Sequence, residues 1–313
     1  MKANTIFRRI GAMLLALGIG ICSTAAPAFA DEKIDTAREA SLLVSFGADG
    51  KGFANVAFSV YHVADLSAEG SYTLTGDFAA YAVSFADLDS SGWRALAQTL
   101  DAYAARDRLT PLVTAKTASD GTLRISDMAV GLYLVTGEPY VSAGAIYTPE
   151  PMLVTVPGMA DDGTWNYQVA VSCKYSYRTT DTEKIDRKVQ KVWKDSGSEN
   201  RPKQITVQLL QDGKVADTVI LSQANNWEYT WHSLDSSSKW QVVESSVPSG
   251  YTVRIAQEGS LFVITNTRPS PPPNKLPQTG LLWWPVPVLL TGGLALVITG
   301  LAVRRKQGEW HER

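Results

Sequence analysis

Ile205-Thr206-Val207-Gln208-Leu209-Leu210-Gln211 is strand-type sequence closed by the turn pair Asp212-Gly213. Its β-branched and aliphatic residues suit a pleated, half-buried surface, and the turn pair ends the run. Stretches of the same kind recur on both sides. Downstream and just upstream they are 189–193, 217–221, 227–231, 240–244, 251–255 and 261–267; further upstream they are 41–46, 54–63, 70–74, 122–125, 131–135, 152–156 and 165–172. Short strands at this spacing predict a mainly β chain built of β-sandwiches.

One helix interrupts the first group. Ser90 and Ser91 are candidate N-caps, and Trp93, Leu96, Leu100 and Tyr103 recur at helical spacing as far as Arg106. The expectation is a helix inserted in, and packed on, the first sandwich. Between Tyr177 and Arg187 the chain turns polar without apolar periodicity, which predicts a linker over 179–187 between modules at 31–178 and 188–268. Arg268-Pro269-Ser270-Pro271-Pro272-Pro273 then favours polyproline II, a semi-rigid spacer over 269–275.

The ends read as targeting segments. Lys2, Arg8 and Arg9 precede an apolar core from Ile10 to Ile21, and Ala28-Phe29-Ala30 offers small residues for a signal peptidase, so the mature chain is expected to begin at Asp31, after cleavage behind Ala30. Ile21 stands where a lipidated Cys22 would need a small residue. At the other end Leu276-Pro277-Gln278-Thr279-Gly280 precedes an apolar run from Leu281 to Val303 and the basic cluster Arg304-Arg305-Lys306 at the head of a tail over 304–313. A helix rising about 1.5 Å per residue makes that run roughly 35 Å long, enough for a hydrocarbon core of about 30 Å. The basic tail should stay cytoplasmic, leaving the pentapeptide outside. The order of parts resembles the LPxTG sorting signal of Gram-positive wall-anchored proteins. That resemblance implies a sortase partner cutting between Thr279 and Gly280 and joining Thr279 to an amine of peptidoglycan or of another pilin subunit. The membrane insertion would be transient; the plainer reading is a permanent anchor bordered by a chance pentapeptide.

Composition narrows the function classes. The formal charge is −2 with no Lys/Arg run of nucleic-acid type between the two ends. Cys173 is the single cysteine between the targeting segments, so an exported chain has no internal disulfide. His62, His232 and His311 lack metal-ligand spacing, and neither a metal nor a cofactor is expected. Scarce histidine and the absence of a Gly-x-Ser-x-Gly elbow argue against a hydrolase.

In the second module Lys191-Val192-Trp193, Arg201-Pro202, Ile205 to Leu210, Asn226-Trp227, Glu244, Gly250-Tyr251 and Ile264-Thr265-Asn266 closely resemble the Cna-B domain of collagen-adhesin stalks and pilins. The resemblance implies an intramolecular isopeptide bond between Lys191 and Asn266, with Glu244 as the catalytic proton shuttle. Strand parity supports it independently: Lys191 shares a face with Val189 and Trp193, Glu244 with Val242 and Trp240, and Asn266 with Ile264 and Phe262. Burial would lower the Lys191 pKa and raise that of Glu244. The alternative is three solvated strand residues. A link closing about 75 residues could stabilise by about 4 kcal/mol on disulfide-type loop entropy.

The first module more weakly resembles pilin-type relatives through Gly131-Leu132-Tyr133-Leu134-Val135, but Gly137 occupies the expected Glu position and Ser41 to Phe46 lacks a Lys, so no isopeptide bond is expected there. Lys174 is either the lysine that links a pilin to the next subunit or a solvated residue ending a strand. The resemblances together imply two tandem immunoglobulin-like sandwiches plus a C-terminal transmembrane helix. They imply a secreted chain anchored to the Gram-positive cell wall, serving as structural stalk or minor pilin. The alternative is an adhesin whose first domain binds a host or neighbour-cell ligand.

Overall fold

The computed structural model describes residues 33–180, 184–197 and 201–268. The signal peptide with Ala30 and Asp31, the proline-rich spacer, Leu276 to Gly280, the apolar run and the basic tail all lie outside the described residues. Among the described residues no helix is long and apolar enough to cross a membrane.

Among the described residues the fold is mainly β with one α-helix. In chain order the longer elements are β1 (Ala40–Ser45), β2 (Ala57–Leu66), β3 (Tyr72–Leu74), α1 (Ser90–Asp107), β4 (Val113–Lys116), β5 (Thr122–Met128), β6 (Gly131–Gly137) and β7 (Tyr140–Ser142). They continue with β8 (Ala145–Pro149), β9 (Met152–Val156), β10 (Gln168–Ser172), β11 (Tyr175–Thr179), β12 (Lys184–Lys194), β13 (Gln204–Gln211), β14 (Lys214–Ser222), β15 (Glu228–Asp235), β16 (Trp240–Glu244), β17 (Thr252–Glu258) and β18 (Leu261–Thr267).

The chain divides into two compact units. One contains the described residues up to Ala80 together with Leu109–Thr180; the other contains Tyr81–Arg108 and the described residues beyond 180. In the first, the sheet β10-β1-β5 faces β9-β6-β2-β3, with β4 also paired to β2 and a third sheet β11-β8-β7 alongside. Strand alternation sends Leu42 and Val44 of β1 inward to meet Phe58 and Val60 of β2 and Tyr133 and Val135 of β6. Gly121 closes the turn before β5 at φ +79°, and a Cβ there would sit 2.5 Å from the Phe46 carbonyl oxygen, so no larger residue fits.

The second unit packs β15-β12-β18-β17 against β14-β13-β16. Val189, Trp231, Phe262 and Ile264 of one sheet interlock with Val207, Leu209, Leu221 and Val242 of the other. Its first and last strands, β12 and β18, lie side by side and parallel, with Lys191 opposite Ile264 and Trp193 opposite Asn266.

Three expectations change. The helix lies within the sequence of the first module, as expected, but belongs to the second unit, where Ala102 and Tyr103 join the core. Its N-cap is Asp89, whose Oδ1 accepts the Gly92 N–H at 2.7 Å, one residue before the serines expected to cap it. The described residues of the segment 179–187 are mostly strand: β11 runs to Thr179 and β12 begins at Lys184, pairing with Asp235 of β15. Polar residues suffice at Lys184 and Asp186 because the ladder needs only their backbone groups and both face solvent, while Ile185 packs against the core.

Candidate functional site

Lys191, Glu244 and Asn266 come together at the centre of the second sandwich. Lys191 follows Val189 on the inward parity of β12, and Asn266 follows Phe262 and Ile264 on the inward parity of β18. Parallel pairing sets the two strands side by side and turns both polar side chains toward the facing sheet. There β16 is buried along its whole length and presents Glu244 from the opposite side.

The geometry is that of a bridge. Lys191 Nζ lies 3.2 Å from Glu244 Oε2, and Asn266 Nδ2 lies 3.0 Å from Glu244 Oε1. The Lys191 and Glu244 side chains have no solvent exposure. Asn266 Oδ1 is buried without a hydrogen-bond partner. Burial pulls the Lys191 pKa down to about 8, with the nearby carboxylate opposing the shift, and it pushes the Glu244 pKa up. Both directions favour a neutral amine beside a neutral acid.

Aromatic side chains roof the amine. Lys191 Nζ is 4.4 Å from the centroid of the Trp193 ring, which meets Trp227 and Tyr251 edge-on at 5.4 and 5.3 Å. Beyond the ring, Arg201 pairs bidentately with Asp195 at 2.6 and 3.0 Å, and Tyr251 donates its hydroxyl to the same carboxylate at 2.9 Å. The Arg201 guanidinium holds the Asp195 carboxyl far below the usual carboxylate range. Sequence reasoning quoted Arg201 and Tyr251 as matching residues without giving them work, and Asp195 escaped it. Tyr103 of α1, read from the sequence only as a position on the helix's apolar face, donates its hydroxyl to the Glu244 carbonyl at 3.0 Å.

Other flagged residues lie apart from this site. Lys174 is exposed between β10 and β11, and its carbonyl accepts the Glu150 N–H at 2.8 Å. Cys173 is buried, which lifts its thiol to about 12. Within the first unit no Lys, Asp, Glu or Asn among the described residues is buried. His62 stacks on Tyr133, and His232 hydrogen-bonds Asp186.

Comparison with known proteins gives two family matches. Residues 187–267 match the model of the Cna protein B-type domain, and residues 32–175 match that of the Gram-positive pilin subunit D1, N-terminal domain. The collagen adhesin of Staphylococcus aureus is 38% identical over 97 residues, which cover 28% of this chain and 8% of the adhesin. Solved structures with similarity include a single B repeat unit of the S. aureus collagen-binding surface protein, at 19% identity over 74% of this chain and 99% of that one, with a TM-score of 0.27. The shaft pilin spaA of Lactobacillus rhamnosus GG aligns at 15% identity over 75% of this chain and 100% of its own, with a TM-score of 0.26. Both matched families are structural and non-enzymatic. Over most of its described length the chain thus carries a pilin D1-type segment followed by a Cna-B-type segment.

Proposed function

We propose that this protein is a structural subunit of the Gram-positive cell surface, a stalk or minor pilin, with an internal Lys191–Asn266 isopeptide bond. Sortase would join it through Thr279 to peptidoglycan or to another pilin subunit. The observation that carries the reading is the buried Lys191–Glu244–Asn266 bridge inside a Cna-B-type sandwich. LPQTG, the apolar run and the basic tail support the anchoring by their order in the sequence.

The chemistry follows from the site. Proton transfer from Lys191 to Glu244 gives the neutral pair that an apolar pocket favours. Turning over the Asn266 amide, whose oxygen and nitrogen are nearly isosteric, brings Oδ1 to the position 3.0 Å from Glu244 Oε1, where the protonated acid donates to it. This also satisfies the orphaned Oδ1 and polarises the carbonyl. Lys191 Nζ then attacks Asn266 Cγ; Glu244 carries the proton from Nζ to the amide nitrogen; the Cγ–N bond breaks and ammonia leaves. One new amide forms, with no turnover.

Intact-mass measurement of the folded chain tests the bond: the expected mass is lower than that of the sequence by one ammonia, and an undiminished mass would refute it. Denaturing electrophoresis of cell-wall extracts tests the assembly. A high-mass ladder means incorporation into a pilus, a single wall-released band means a lone wall protein, and absence from the wall fraction overturns the anchoring.

A further inference from the structure

The segment Tyr81–Arg108 closes an open edge of the second sandwich. β17 ends one sheet and β16 ends the other, so among the described residues each leaves one side without a neighbouring strand. Exposed edge groups of this kind must be paired or covered. Three alternate N–H groups of β17 bond to the segment: Val253 to the Ala82 carbonyl at 2.8 Å, Ile255 to Thr99 Oγ1 at 2.7 Å, and Gln257 to Gln98 Oε1 at 3.0 Å. Period-two spacing makes these the outward-facing donors of the strand.

The segment also grips β16 near both ends. Asp101 Oδ2 accepts from Gln241 Nε2 at 2.9 Å and from Lys239 Nζ at 2.8 Å, just ahead of the strand. At the far end the Tyr103 hydroxyl meets the Glu244 carbonyl. The Tyr103 ring is itself held by Tyr81, stacked at 4.9 Å. Five residues of strand are thus pinned by hydrogen bonds around the carboxylate that bridges Lys191 and Asn266.

We infer that Tyr103 and Thr99 are positioning residues for isopeptide formation, so that the second sandwich completes its cross-link only after α1, encoded within the first module, has docked on it. The inference rests on the proposed Lys191–Asn266 bond. It places a functional part of the Cna-B-type unit outside the segment that its sequence family marks out.

The test follows ammonia loss in the full chain, made in a cell-free system and sampled over time by intact mass. Wild type is compared with Lys191→Met, Tyr103→Phe, Thr99→Val and Thr99→Ser. Losing one positioning hydrogen bond should slow the reaction by about ten-fold. The expected pattern is slowing in Tyr103→Phe and Thr99→Val, recovery in Thr99→Ser, which keeps the hydroxyl, and no loss in Lys191→Met. If wild type itself loses no ammonia, the bond reading fails. If wild type reacts and both Tyr103→Phe and Thr99→Val keep its rate, the role of α1 is overturned. Should Tyr103→Phe not fold, the Thr99→Val and Thr99→Ser pair decides alone: equal rates refute the positioning role.

Discussion

Trp193 is close to two basic side chains: its ring centroid is 4.4 Å from Lys191 Nζ and 5.4 Å from the Arg201 guanidinium carbon. Burial pulls the Lys191 pKa down even against the opposing Glu244 carboxylate, and the Trp193 ring is part of what keeps water from the amine. Trp193→Ala should admit water and return Lys191 toward its ordinary pKa. Ammonia loss at pH 7 is then expected to slow by about ten-fold or more, as read by intact mass, because each pKa step of one costs a factor of ten in neutral amine.

Lys191→Met should fold and keep its full mass. Replacing a buried ion-pair partner with an apolar side chain of similar volume removes the charge along with its desolvation cost, but Glu244 can then stay protonated. Relative to a wild type carrying the proposed cross-link, its denaturant midpoint should correspond to a loss of about 4 kcal/mol. Glu244→Ala should fare worse before any bond forms, by about 3–5 kcal/mol, because it strands a buried amine.

Bond formation should have a bell-shaped pH profile. The reactive state holds one proton between Lys191 and Glu244, so the rate should rise as the pair loses its first proton above the ordinary Glu range, and fall as it loses the second near pH 8. A stopped-time mass assay at a series of pH values would show it; a rate that climbs steadily past pH 9 would contradict the assignment of Glu244 as the acid.

Asp195 supplies an acid-sensitive clamp. Its carboxyl pKa in the folded state is depressed by Arg201, so its contribution is present above the ordinary Asp value of 3.8 and is lost as pH falls below that toward the folded-state value. Asp195→Asn should lower stability at neutral pH and flatten the decline on acidification. Thermal melts of both proteins from pH 7 down to pH 2 measure the difference.

In the first unit Gly121→Ala should destabilise by about 1–3 kcal/mol, since it adds a Cβ at positive φ against the Phe46 carbonyl. Urea titration reads this.

Strand identity was most legible where composition and burial agree. Trp240–Glu244 and Leu261–Thr267 have the bounds expected from sequence, because apolar inward residues and clear turns define them. The inward parity of Lys191, Glu244 and Asn266 was legible for the same reason. Strands β7, β8 and β11 escaped notice. Pro139, Pro149 and Pro151 punctuate that region, and its tyrosines pack on one another instead of alternating cleanly with polar residues. The partner of α1 was not legible at all. Helical spacing of Leu96, Leu100 and Tyr103 reports that a face is buried, whereas the contacts that choose the sandwich come from polar Gln98, Thr99 and Asp101.

The parallel pairing of β12 and β18 has a mechanical consequence. The chain enters the second sandwich at the start of β12 and leaves it at the end of β18, and parallel strands put those two points at opposite ends of one ladder, paired from Lys188–Leu261 to Lys194–Thr267. Tension applied along the chain therefore loads that ladder in shear. Before the proposed Lys191–Asn266 bond forms, all of its hydrogen bonds must yield together, where an antiparallel pair pulled from one end would unzip them in turn; once formed, that bond would carry the load between the same two strands.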